Sequence, residues 1–187
     1  MKKIIYFISP NLYPKYIGGA EIFNYYLANE LKDLHIITLS HNPKSSYNIH
    51  IVKSFLGIKR WGFGRWSILV QLKLLILIHH NIIKHILISY TSNSQFYSNI
   101  FPSLVNKYKI PYTIIIHGGG LGEWNKPLAM KVFFDSAKNI IGVSEPIKEH
   151  YDKLTKNKVK VVYPSLPFDK IPNINPHFQI DKSFFNI

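Results

Sequence analysis

Three short stretches of this chain bring together residues able to do chemistry. His117-Gly118-Gly119-Gly120 directly follows the apolar run Tyr112 to Ile116. A histidine there can hydrogen-bond a substrate or act as a base, and the glycines expose backbone amides and permit motion. Gly18-Gly19-Ala20-Glu21 stands where a helix is expected to open. Glycines let backbone pass close to a ligand, and a helix amino terminus offers free N–H groups to an anion. The plainer reading is a tight turn, with Glu21 favourable in the first helical turn. The third stretch is Val143-Ser144-Glu145. Ser144 is expected to cap the next helix, and a ligand contact is a role it could carry in addition.

Some chemistries are set aside. The pattern Gly-x-Gly-x-x-Gly is missing around Gly18, which disfavours an ordinary nicotinamide site. His-Gly-Gly-Gly also forms oxyanion loops in hydrolases. A nucleophile elbow needs Gly-x-Ser-x-Gly, however, and Gly142-Val143-Ser144-Glu145-Pro146 has proline at the fifth place. His79, His80 and His85 have no metal-ligand spacing with a carboxylate, so no metal is expected. Without cysteine the chain has no disulfide, thiolate site or cysteine nucleophile.

The elements that must position these residues are legible from apolar spacing. Strands are expected at Lys3–Ser9, His35–Leu39, Ile49–Lys53, Ile86–Tyr90, Tyr112–Ile116, Asn139–Val143 and Val159–Tyr163. Helices are expected at Ala20–Leu31, Trp66–Lys84, Ser94–Lys107, Leu128–Ala137 and after Ser144, with Trp61–Arg65 as a glycine and aromatic loop. Strands and helices alternate almost throughout. That is the pattern of an α/β protein: a Rossmann-like, doubly wound, mainly parallel sheet with helices on both faces. In such sheets ligands bind beyond the carboxyl ends of the strands, where all three stretches fall. Pro164, Pro167, Pro172 and Pro176 mark a change of texture. One domain is therefore expected over residues 1–165, with a proline-rich linker or tail over 166–187.

With 187 residues the chain can bury one substantial core. Its net charge of +13 favours anionic partners: nucleic acid, anionic lipid or phosphorylated ligands. Lysine supplies 21 of the 23 basic residues. Nucleic acid is disfavoured, because base reading relies on arginine and only Arg60 and Arg65 are present. The apolar segment Ser67–Ile83 is broken by Gln71, Lys73, His79, His80 and Asn81. A membrane span needs about 20 apolar residues, so a buried helix, or one resting on a bilayer, is expected instead. The basic and aromatic residues Lys59, Arg60, Trp61, Arg65 and Trp66 suit the second form.

Taken in order, Gly18-Gly19-Ala20-Glu21 with Leu27-Ala28, Ile116-His117-Gly118, Gly142-Val143-Ser144-Glu145 and Val161-Val162-Tyr163-Pro164 resemble the family-4 glycosyltransferases over about residues 1 to 170. These are retaining enzymes of GT-B fold, with two Rossmann-like domains around a cleft. The resemblance implies that this chain is the amino-terminal, acceptor-side half. Gly18 and Gly19 would then approach the donor diphosphate, and His117 would sit beside the transferred sugar. Glu21, Gly118, Gly119, Ser144 and Glu145 would be further substrate contacts.

The nucleotide-sugar would be a co-substrate, with no cofactor, and the acceptor a glycan or lipid-linked glycan. The expected location is cytoplasmic, with peripheral attachment to an anionic membrane surface as the variant for a membrane-resident acceptor. The family's Asn-Gly-Val-Asp turn is replaced here by Tyr163-Pro164-Ser165-Leu166-Pro167-Phe168-Asp169. Its donor-binding second half has no counterpart in these residues, which implies inactivity unless a companion chain supplies it. The alternative is a non-catalytic binding module, or a truncated remnant, of the same fold.

Overall fold

The computed structural model describes residues 4–9, 18–31, 34–38, 48–51, 58–80, 82–91, 101–118 and 127–164. Twelve elements occur in the order β1 (Ile4–Ile8), α1 (Gly19–Glu30), β2 (Leu34–Thr38), β3 (Asn48–Ile51), α2 (Ile58–His79), β4 (Ile83–Tyr90), α3 (Phe101–Lys107), β5 (Tyr112–Ile116), α4 (Pro127–Asp135), β6 (Asn139–Gly142), α5 (Glu145–Asp152) and β7 (Val159–Val161). The seven strands form one sheet in the order β3-β2-β1-β4-β5-β6-β7. Every pairing among them is parallel. The expected doubly wound architecture is therefore present.

Burial on both sides explains the composition of the strands. Parallel sheets covered by helices read as continuous apolar runs, and all five residues of β5 are buried. Alternate side chains feed two cores. On one face Tyr6, Ile8, Ile86, Ile88, Ile114 and Ile116 meet apolar residues of α2, α3, α4 and α5. On the other, Phe7, Leu34, Ile36 and Ile115 pack with Ala28 of α1, with Phe23, Leu27 and Leu31 alongside. Helices on both faces follow directly from this division.

Two boundaries differ from expectation. The helix expected from Trp66 already begins at Ile58, so Trp61–Arg65 lies within α2 and is not a loop. Gly62 and Gly64 cost a helix interior about 1 kcal/mol each relative to alanine, and tertiary burial of the following turns overrides that preference. At the other end α2 stops at His79 and β4 starts at Ile83, three residues before the expected Ile86. There the Ile82 N–H donates to the Leu77 carbonyl, closing the helix, and the Ile4 N–H donates to the Ile82 carbonyl, which begins the pairing with β1. The last strand is shorter than expected, ending at Val161. The Val162 N–H still donates to the Gly142 carbonyl. Residues 10–17, 41–47, 94–100, 119–126 and the expected tail at 166–187 lie outside the described residues, as does Asp169.

Candidate functional site

The strand order reverses between β1 and β4. β1 is followed in sequence by β2 on one side, and β4 leads to β5 on the other. In open α/β sheets such a switch point opens a crevice beyond the carboxyl ends of the strands. Here that edge is regular. The ladder continues one residue past three strands: Ser9 N–H to Ile37 O, His117 N–H to Tyr90 O, and Val143 N–H to Ile116 O.

The switch point is fastened by a residue that sequence reasoning missed. Asn24, in the second turn of α1, is buried and donates from Nδ2 to Ser9 Oγ at 3.1 Å and to Ser89 Oγ at 2.8 Å. Both serines are buried at the ends of β1 and β4. The amino terminus of α1 is thereby held over the point where the two central strands diverge. The signal was present in the sequence: Asn24 occupies the core-facing register of α1, four residues before the buried Ala28. A polar residue there needs a polar partner below it. Asn24 Oδ1 is itself buried and has no hydrogen-bond partner among the described residues.

Gly18 is the amino-terminal cap residue of α1 and has extended backbone. A Cβ at Gly18 would collide with the carboxylate of Glu21, which folds back over it. Glu21 thus sits where the helix's free amides and dipole favour negative charge. An anion approaching those amides meets this carboxylate first. A Cβ at Gly19, by contrast, would meet nothing within 4 Å. Backbone can be approached closely at Gly19.

His117 follows β5, and its ring lies edge-on to Phe23 of α1 with centroids 5.2 Å apart. This contact brings the first two stretches together. His117 Nε2 is shut off from solvent and has no hydrogen-bond partner among the described residues. Burial pulls its pKa down to about 4, so the ring is neutral near pH 7 and offers one donor and one acceptor nitrogen. Gly118 has φ of 106°, a left-handed backbone that side chains resist. Gly119 lies outside the described residues.

The third stretch adjoins the second. A Cβ at Gly118 would touch Ile147 in the first turn of α5 at 3.6 Å. Ser144 stands at the cap position of α5 with extended backbone, and its carbonyl accepts the Lys148 N–H at 3.1 Å. Its hydroxyl makes no capping hydrogen bond, contrary to expectation. Proline and glutamate in the first turn start the helix without it. Glu145 is exposed. Gly142 is required by packing, since a Cβ there would come within 3.1 Å of Ile147 and 3.4 Å of Val159. From β1 to β6 this edge spans three strand spacings, roughly 14 Å.

With that edge described, similarity to known proteins can be placed on it. Residues 17–170 match the sequence model of Glycosyltransferase Family 4. The chain belongs to this family. A relative in Methanocaldococcus jannaschii, an uncharacterized glycosyltransferase, is 27% identical over 168 residues, covering 83% of this chain and 45% of that protein. The crystal structure of Anabaena HepE in complex with UDP-glucose superposes with a TM-score of 0.59 at 14% identity, covering 87% of this chain and 44% of HepE. The HepE complex with UDP gives the same TM-score at 15% identity. These likenesses show a shared fold, that of a GT-B glycosyltransferase's amino-terminal domain. The chain spans less than half the length of each of these proteins. All four stretches that carried the resemblance in the sequence lie at least partly within the matched residues.

Proposed function

We propose that this domain is the acceptor-side wall of a sugar-transfer cleft. It takes a sugar from a nucleotide-sugar donor onto a glycan or lipid-linked glycan acceptor. A donor-binding half, on the same polypeptide or on a companion chain, completes the cleft. The observation that supports this reading best is the contact between Phe23 and His117, which sets a neutral histidine beside the amino terminus of α1 at the switch point.

Each residue then has a defined part. The open backbone at Gly19, with Gly18, receives the donor diphosphate against the amides of α1, and Glu21 turns aside as it arrives. His117 is the residue in direct contact with the transferred sugar. As a neutral ring it positions a sugar hydroxyl by hydrogen bonding; it does not supply positive charge. Gly118 and Gly119 leave room for that sugar, while Ser144 and Glu145 border the cleft over β6. Asn24 acts through the backbone, keeping α1 in place. HepE binds UDP-glucose, as its structure is described, which makes a uridine diphosphate sugar the first donor to try.

The test is transfer of labelled sugar to an extract of glycans and glycolipids, with the domain alone and with a donor-binding half added. Transfer only by the combination is the expected result.

A further inference from the structure

α2 is apolar on two sides. Val70, Leu74, Leu77 and Ile78 are buried against the sheet. Facing away from it, Ile68, Leu72 and Ile76 are each more than 50% exposed and Leu75 is 36% exposed. Their spacing of four, three and one residues draws a stripe along one helical face. Contiguous exposed apolar surface of this kind marks an interaction site. Among the described residues no helix is long and apolar enough to cross a membrane, so the stripe does not belong to a span.

Charge identifies what covers it. From residue 34 to residue 122 the chain has nine Lys or Arg and no Asp or Glu. That segment contains α2, β4, α3 and β5. The first three turns of α2 contribute Lys59, Arg60 and Arg65. Where the end of α2, the start of β4 and the turn after α3 meet, a cavity of about 290 Å³ opens. Its walls include Ile78, Ile83 and Pro111, with Tyr108, Lys84 and Lys109, and it holds no carboxylate. Lys109 occupies the left-handed position that ends α3, with φ of 54°. The turn is closed by Lys109 N–H to Asn106 O and Ile110 N–H to Val105 O. Glycine is the usual residue at that position. Here a cation stands there at the cavity wall.

The cavity lies at the amino-terminal edge of the sheet, opposite the switch-point edge. The crossover from β3 to β4 runs α2 between the two edges, starting at the ligand edge and ending at the cavity. We propose that this acid-free face docks on an anionic phospholipid surface. The α2 stripe enters the interface, and the cavity between Lys84 and Lys109 receives a lipid phosphate. The domain then lies on its side with its cleft at the edge of the bilayer. This deepens the reading above for a lipid-linked acceptor, but it is measured without transfer, so either can fail alone.

The experiment is co-sedimentation of the 187-residue chain with vesicles of phosphatidylcholine, alone or with about a third phosphatidylglycerol. Light scattering in parallel gives the oligomeric state. Binding is expected to be at least tenfold tighter to the anionic vesicles. The combined Ile68→Ser, Leu72→Ser and Ile76→Ser variant, altered only at exposed positions, is expected to bind at least tenfold more weakly. Lys109→Gly suits the left-handed turn and so keeps the fold. It is expected to weaken binding about fivefold, the share of one cation at an anionic surface. No sedimentation, equal binding to both lipids, or binding indifferent to these variants would overturn the proposal. So would a dimer that the triple variant dissociates, because a second copy would then cover the stripe.

Discussion

Asn24 Nδ2 lies 2.8 Å from Ser89 Oγ and so ties the first helix to the fourth strand across 65 positions of sequence. The same nitrogen reaches Ser9 on the first strand. One side chain thus spans the line along which the sheet's order reverses, and the glycines of α1 stand directly beyond it. Burial makes the arrangement demanding, because a hydroxyl left without a partner there has no water to turn to.

Asn24→Ala is therefore expected to cost about 2–3 kcal/mol, from two lost hydrogen bonds and two buried hydroxyls left wanting a donor. Urea unfolding of the two proteins measures this directly. An unchanged midpoint would mean that the serines find other partners and that α1 is held by its apolar face alone.

The two glycines closest to the proposed substrates should behave in opposite ways. Gly118→Ala places a Cβ on a backbone at φ of 106°, and is expected to destabilise the fold by about 1–2 kcal/mol. Gly19→Ala meets open space at the first position of a helix, and is expected to leave the melting temperature unchanged or slightly raised. In the completed enzyme Gly19→Ala should nonetheless raise the KM for donor at least tenfold, since a methyl group stands between the backbone and the diphosphate. Thermal melts and donor titrations separate the two effects.

The pH dependence of stability follows from His117. Its pKa is about 4 when folded and about 6.5 in an unfolded chain. The unfolded state therefore binds more protons between those values, so stability rises with pH across that window. Its contribution is complete above pH 6.5 and is lost as pH falls toward 4. Burial lowers the pKa of His85 too, with Lys138 and Lys84 adding to the effect, so it acts in the same direction. The His117 part amounts to about 3 kcal/mol at most. His117→Phe should flatten the profile between pH 4 and 6.5, as followed by melts at a series of pH values. A profile identical to that of the parent would show that the ring is not desolvated in solution.

Much of this was legible beforehand because it depends on patterns that local sequence carries. Continuous apolar runs such as Tyr112 to Ile116 announced buried parallel strands, and their alternation with helices implied the doubly wound sheet. The stretches at Gly18, His117 and Ser144 were placed at the carboxyl edge by the same reasoning, and they lie there. What local pattern did not carry was anything decided by tertiary contact. Gly62 and Gly64 argued for a loop, but the turns that follow are buried strongly enough to extend the helix through them. Ser144 looked like a side-chain cap, yet Pro146 and Glu145 start α5 with its hydroxyl unused. Asn24 was passed over because its partners, Ser9 and Ser89, come together only when β1 and β4 become neighbours. The lowered pKa of His117 likewise comes from burial that no neighbouring residue announces.

The most direct measurement is sugar transfer from a nucleotide-sugar by this domain joined with a donor-binding half, compared with the domain alone and with the His117→Ala combination. The account predicts transfer by the combination and none by the domain alone. It predicts a loss in kcat/KM of about a hundredfold or more in His117→Ala, in the range found when a positioned polar group is removed from a reacting centre. Transfer by the 187 residues unaided, or full activity without the His117 ring, would contradict it.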